Sequence, residues 1–342
     1  MALSYAVVGT GAIGGYYGGR LAEAGCDVHF LLRSDYAQVR ENGLIVESVK
    51  GDFALPNVQA YNNPADMPQI DVVLVCLKTT QNHSLSDLLP PLGANSAILL
   101  LQNGLNVEAV VEQVLQETYS SIPTLLGGLC FICANKIGPG HIRHIDYGRL
   151  LVGVYESAAA QSFLSGVGAA DNATDGSADG GLKRLRAIAS DFNRAKIATA
   201  ITDDLTMSRW LKLVWNVPYN GLSVVLNATT EEMMADQPVR ELIATLMREV
   251  VSVANAWGKE NSRGRERALP ENVVQQMLDQ TETMPPYLTS MKLDFDQNKP
   301  LEIAAILGAP LQVAEAMRVE VPAMRMLHQQ LLFLNARNVR YF

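Results

Sequence analysis

Nowhere in these 342 residues do apolar side chains continue for the roughly 18 positions a membrane-spanning helix needs, so no membrane partner is expected. The start, MALSYAVVGTGAIGGYYGG, has no basic leading region, and glycines interrupt its apolar run. A secretory signal is therefore not expected. Cysteine is scarce. Of Cys26, Cys76, Cys130 and Cys133, three lie in apolar strand-like runs, which favours a reducing, cytoplasmic setting. Cys130 and Cys133 form a C-x-x-C with no second pair and no histidine at ligand spacing, so they read as buried thiols within LLGGLCFICANK. The five histidines lack metal-ligand spacing, His141 and His144 read as part of a polar turn, and no metal is expected. Charge is sparse too: 18% of residues, with a net charge of −8. A nucleic-acid partner wants a basic face and is not expected, whereas a small anionic ligand needs only a few local cations. There is no internal repeat.

The length suits two domains, and 48% apolar content suits globular cores. Through the first 110 residues strands alternate with helices. SYAVVG, CDVHFLLR, IDVVLVCLK and SAILLLQNG read as strands. AIGGYYGGRLAEAG and SDYAQVRENG read as helices closed by Gly25 and Gly43, and LIVESVKGDFAL as a hairpin. Continuous apolar strands separated by helices predict a parallel sheet covered on both faces. Residues 156–181, rich in Ala, Gly, Ser and Asp, read as a flexible insertion without a period. Helical spacing returns in LKRLRAIASDFNRAK, with Leu182, Leu185, Ile188, Ala189 and Phe192 on one face. From about Asp203 almost everything reads as helix. The fold class is α/β: a parallel-sheet domain over 1–200, then an all-helical domain over 201–342.

VVGTGAIGG sets Gly9, Gly11 and Gly14 at G-x-G-x-x-G spacing directly after a strand and at the opening of a helix. The first glycine makes the turn, the second admits a pyrophosphate, and the third lets helix and strand pack closely. The helix start adds amide donors and a positive dipole end. Gly9, Thr10, Gly11, Ala12, Ile13 and Gly14 are therefore the candidate dinucleotide turn of a Rossmann-type domain. An NAD site usually ends its second strand with an acid. Here HFLLRSDY supplies Arg33 and Ser34, with Asp35 one place further on as a competitor. Arg33 suits a 2′-phosphate, and Lys78, after IDVVLVCLK, adds a second cation, so NADPH is the expected cofactor.

KLVWNVPYN places Lys212, Asn216 and Asn220 four residues apart, turning about 40° per step along one helix face. That line is either a solvated stripe or the wall of a substrate groove. Pro218 removes one helical hydrogen bond and predicts a kink before Asn220.

The glycine turn, LLRS, VCLKTTQ, LLLQNGL, WLKLVWNVPYN and TSMKLDFDQNKPLEI occur in the order found in ketopantoate reductases (2-dehydropantoate 2-reductases), and the chain resembles that family over nearly its whole length. The resemblance implies NADPH-dependent reduction of ketopantoate to (R)-pantoate, a step of pantothenate and coenzyme A biosynthesis. It also implies a Rossmann-type domain followed by a helical domain of the 6-phosphogluconate dehydrogenase C-terminal type, closing a cleft over a small 2-oxo acid. The family's catalytic lysine falls on Lys212. Its substrate-binding residues fall on Asn216, Asn220, Ser290 and Glu302, and the asparagine of its Q-N-G turn falls on Asn103, implied to touch both cofactor and substrate. Its cofactor cations fall on Arg33 and Lys78. Gly221 stands where the family often has proline. Asn103 has a rival reading, as an Asn-Gly turn residue needing φ > 0. Glu302 has another, as the third residue of a helix begun by Pro300, where an acid satisfies helix-start amides. A D-2-hydroxy-acid dehydrogenase of the same superfamily and a non-catalytic NADPH sensor are the alternatives. A homodimer is compatible with the sequence.

Overall fold

The computed structural model describes residues 2–156, 177–262, 264 and 266–340. They form two compact units. One comprises Met1–Gln102 with Val107–Leu205, the other Asn103–Asn106 with Thr206–Phe342.

The first unit runs β1 (Ser4–Val8), α1 (Ala12–Glu23), β2 (Asp27–Leu31), α2 (Tyr36–Asn42), β3 (Leu44–Ser48), β4 (Phe53–Leu55), β5 (Gln59–Tyr61), β6 (Ile70–Val75), β7 (Leu92–Leu100), α3 (Val107–Gln116), β8 (Thr124–Gly138), β9 (His141–Val154), α4 (Ser177–Arg194) and β10 (Thr199–Ile201). All ten strands share one sheet in the order β4-β3-β9-β8-β7-β6-β1-β2-β5, with β10 on β9. The run from β5 through β2, β1, β6 and β7 to β8 is parallel, and its central strands are mostly apolar because both faces are covered. From β1 the sheet extends to β2 on one side and β6 on the other, the switch point beyond whose carboxyl ends α/β proteins bind ligands.

The sheet is mixed, not wholly parallel. β3 pairs antiparallel with β4 in the expected hairpin, and β8 pairs antiparallel with β9. Only Pro139 and Gly140 separate β8 from β9, which is too short for a crossover and long enough for a hairpin turn, with Gly140 at φ +64°. The turn is therefore Pro-Gly itself. His141 and His144 stand on β9, and His144 is buried, which corrects their reading as turn residues. Ser177–Gly181 already belong to α4, so the structureless reading of 156–181 fails at that end; 157–176 lie outside the described residues. α4 buries Leu185, Ile188, Ala189 and Phe192 and half-buries Leu182, as 3.6-residue spacing requires.

The second unit is helical: α5 (Leu205–Val225), α6 (Thr230–Ala235), α7 (Gln237–Glu260), α8 (Val273–Glu282), α9 (Ser290–Asp296), α10 (Ala309–Met317) and α11 (Pro322–Arg340), with a π-helical stretch, Ala304–Gly308, leading into α10. Trp210, Leu213, Val217, Val250 and Leu307 are in its core, joined by Leu105 from the Asn103–Asn106 segment. α5 passes through Pro218 and continues to Val225, so the proline does not end the helix.

Candidate functional site

In the first unit, Gly9 follows β1 at φ +97°, and a Cβ there would lie 2.8 Å from the Leu77 nitrogen. The turn after β1 is thus pressed against the turn after β6, where any side chain would clash. Gly14 has no room either: its Cβ would lie 2.3 Å from the Gly9 oxygen. Gly11 differs. Nothing lies within 4 Å of where its Cβ would be, so protein packing does not explain the glycine. Gly11 is also the N-cap of α1, with no side-chain cap and no acid in the first turn, which Ala12 and Ile13 begin. Thr10 Oγ1 donates to the Leu31 carbonyl at 3.2 Å, tying the turn to the end of β2. Helix-start amides beside a glycine that protein packing does not require fit a pyrophosphate.

Arg33 follows β2, exposed, and its guanidinium has no hydrogen bond or ion pair among the described residues. Asp35 is 5% exposed and faces inward. Lys136 Nζ lies 2.6 Å from its Oδ2, the Gly140 N–H donates to Oδ2 at 3.0 Å, and Ser34 Oγ donates to Oδ1 at 2.9 Å. Burial pushes the Asp35 carboxyl up, but the bonds from Lys136, Gly140 and Ser34 outweigh it and hold the group below the usual carboxylate range. Lys78, half-buried, opens the 3₁₀ segment after β6. Gln102 Nε2 braces that region, donating to the Leu77 carbonyl at 2.9 Å and to Asn82 Oδ1 at 2.7 Å.

In the second unit, Lys212 Nζ donates to Asn103 Oδ1 at 2.5 Å. The Asn103–Asn106 segment is held on both sides. Arg209 Nη1 donates to the Gly104 carbonyl at 3.0 Å, and the Leu105 N–H donates to the Ala305 carbonyl at 2.9 Å. Positive φ falls on Gly104 (+113°) and Asn106 (+58°), not on Asn103, which removes the left-handed-turn explanation for Asn103. Asn216 and Asn220, on the Lys212 face of α5, are 6% and 2% exposed, so the line is no solvated stripe. Ser223, one turn on, donates to the Asn220 carbonyl at 3.0 Å and shares a 2.7 Å hydrogen bond with Thr289 Oγ1. Thr289 caps α9, whose first residue is Ser290, by accepting from the Lys292 N–H at 3.2 Å. Glu302 is buried and sits directly before the helix that opens at Ile303, so it is not the third residue of a helix begun by Pro300. The Leu301 N–H is bonded to Asn335 Oδ1 of α11 at 3.0 Å, which ties this stretch to that helix.

Sequence reasoning missed Arg209, Ser223 and Thr289. Their signal was present: Arg209 lies three residues before Lys212 and Ser223 three after Asn220, extending the same face, and Thr289 is a capping residue ahead of a short helix.

Residues 5–157 match the family described as ketopantoate reductase PanE/ApbA, and residues 204–335 match its C-terminal domain. A 2-dehydropantoate 2-reductase from a Nostoc species is 48% identical over 98% of this chain and 96% of its own length. The crystal structure of a 2-dehydropantoate 2-reductase from Geobacter metallireducens superposes with a TM-score of 0.82 at 35% identity, covering 96% of this chain and 99% of the other. A D-mandelate dehydrogenase crystallised with NADH and anilino(oxo)acetate shares the fold alone, with a TM-score of 0.77 at 18% identity, covering 98% and 99%.

Proposed function

The chain belongs to the ketopantoate reductase family, and from that premise we propose that it reduces 2-dehydropantoate to (R)-pantoate with NADPH. The carrying observation is the Lys212–Asn103 hydrogen bond. A half-buried ammonium among uncharged amides is poised to give a proton, and Asn103 fixes the direction of its head group. Bound NADPH supplies the hydride. Lys212 protonates the ketone oxygen as the alcohol forms and stabilises the negative charge developing there. Asn216 and Asn220 orient the substrate without adding charge to the site. Ser290 binds a carboxylate oxygen, and Glu302 accepts a hydrogen bond from the distal hydroxyl. The amides from Gly9 to Gly14 receive the pyrophosphate, Arg33 and Lys78 its remaining negative charge, with the 2′-phosphate on Arg33, and Asn103 completes the cofactor contacts. A cytoplasmic location accords with the four free thiols.

A steady-state assay following NADPH absorbance across a panel of 2-oxo acids tests the reading. Ketopantoate should give the highest kcat/KM. A clear preference for an aromatic or unbranched 2-oxo acid would assign the chain to the D-2-hydroxy-acid dehydrogenases instead. Cofactor binding without turnover of any panel member would favour a sensor.

A further inference from the structure

Cofactor choice at the end of β2 turns on two opposed side chains two residues apart, Arg33 and Asp35. A carboxylate there usually accepts from the ribose 2′-hydroxyl of NAD and repels a 2′-phosphate. Asp35 does neither while it faces inward, and what holds it comes from far along the chain. Lys136, near the end of β8, reaches its Oδ2 at 2.6 Å, and Gly140, in the β8–β9 turn, donates to the same oxygen at 3.0 Å. We propose that Lys136 is a positioning residue for cofactor selection: by pairing with Asp35 it keeps that carboxylate away from the phosphate that Arg33 meets, and so makes the protein select NADPH over NADH. The inference rests on the reading above that Arg33 receives the 2′-phosphate.

The burial contrast supports it. Arg33 and Ser34 are exposed, while Asp35, next in the chain, is 5% exposed. Without its cation, a buried carboxylate left with the Gly140 amide and the Ser34 hydroxyl is poorly compensated, and turning outward to water relieves it. Outward is where Arg33 lies. The freed carboxylate then offsets the Arg33 charge, repels the phosphate and offers an acceptor to an unphosphorylated ribose. NADPH weakens and NADH is spared or gains.

The test is the ratio of Kd values for NADPH and NADH, from equilibrium titration of nicotinamide fluorescence on the full chain, with a thermal melt for each variant. Lys136→Met should lower the preference for NADPH by roughly 5- to 20-fold, the size of one uncompensated charge near a surface. Lys136→Arg, which keeps the ion pair, should retain it. Asp35→Asn should also retain it, and in that background Lys136→Met should change the ratio no further. Lys136→Gln carries the same comparison if the Met variant does not fold. An unchanged ratio in the neutral variant overturns the proposal. So does an equal fall with and without the Asp35 carboxylate, since Lys136 would then act by its own charge. A merely structural role would lower the melting temperature and leave the ratio alone. If wild-type protein binds both dinucleotides equally, or Arg33→Ala leaves the ratio intact, the NADPH reading itself is what fails.

Discussion

The Lys212 ammonium donates to the side-chain oxygen of Asn103, a residue 109 positions earlier in the chain, at 2.5 Å. Asn103 is held in turn by its neighbours: Gly104 receives Arg209, and Leu105 is bonded to Ala305. The proposed proton donor is thus aimed by a short loop that is itself anchored from α5 and from the π-helical stretch. A side chain with four rotatable bonds is given one orientation.

Removing the ammonium should cost rate more than binding. Lys212→Ala is expected to lower kcat by roughly 10²–10⁴-fold. The Kd for NADPH should stay nearly constant, because the glycine turn and Arg33 belong to the other unit. Stopped-flow reduction with saturating substrate measures the first quantity and fluorescence titration the second. Near-wild-type kcat would remove Lys212 from the mechanism.

Gly104→Ala tests the loop. The added Cβ would lie 2.5 Å from the Ala305 Cβ, at a φ of +113° that side chains rarely adopt. The loop must shift, and Asn103 with it. A loss of roughly 10²-fold in kcat/KM is expected, since a displacement near 1 Å at a reacting group has that effect. Cofactor affinity measured on the same preparation should fall far less, because the glycine turn, Arg33 and Lys78 belong to the other unit.

Glu302→Ala should act on KM. The proposed contact to the distal hydroxyl would be made in ground state and transition state alike, so its loss should leave kcat largely unchanged. The rise in KM should be large for ketopantoate and small for a 2-oxo acid without that hydroxyl. Equal losses for both substrates would show that Glu302 holds the fold and not the hydroxyl.

His144 predicts a pH dependence of stability. Its Nδ1 shares a 2.8 Å hydrogen bond with Ser48 Oγ, its Nε2 lies 2.9 Å from the Asp146 carbonyl, and its ring packs on Tyr16 at 4.4 Å. Burial, with the charges of Lys50 and Arg20 nearby, pushes its pKa below the ordinary histidine value, although the Asp146 carbonyl pulls the other way. The unfolded chain then binds the proton first. Stability is full above the unfolded pKa, near 6.5, falls as pH drops below it, and levels off once the folded pKa is passed. Thermal melts between pH 7.5 and about 4.5 should show that decline, and His144→Gln should flatten it.

What the sequence made legible was local. The glycine turn, the strands beside it and the Lys212–Asn216–Asn220 face each follow from spacings of a few residues, and each is set within one element. The relationships that escaped it are long-range. Pairing of β8 with β9 follows from a two-residue turn whose Gly-Pro-Gly surroundings look like any loop. Lys136 meets Asp35 only because that hairpin brings them together. Glu302 follows a residue whose amide is held by Asn335, on α11, and no pattern near Pro300 records that bond.

The Asn103–Asn106 segment makes the helical unit discontinuous in the chain, with a consequence for the order in which the protein is made. Synthesis delivers Asn103 109 residues before Lys212, about 5–20 s at roughly 5–20 residues per second. During that interval Leu105, which ends in the helical core, has no core to enter. The sheet unit therefore emerges carrying a piece of its successor, and residues 206–342 expressed alone would lack both Leu105 and the residue that aims Lys212. No single cut of the backbone separates one complete unit from the other.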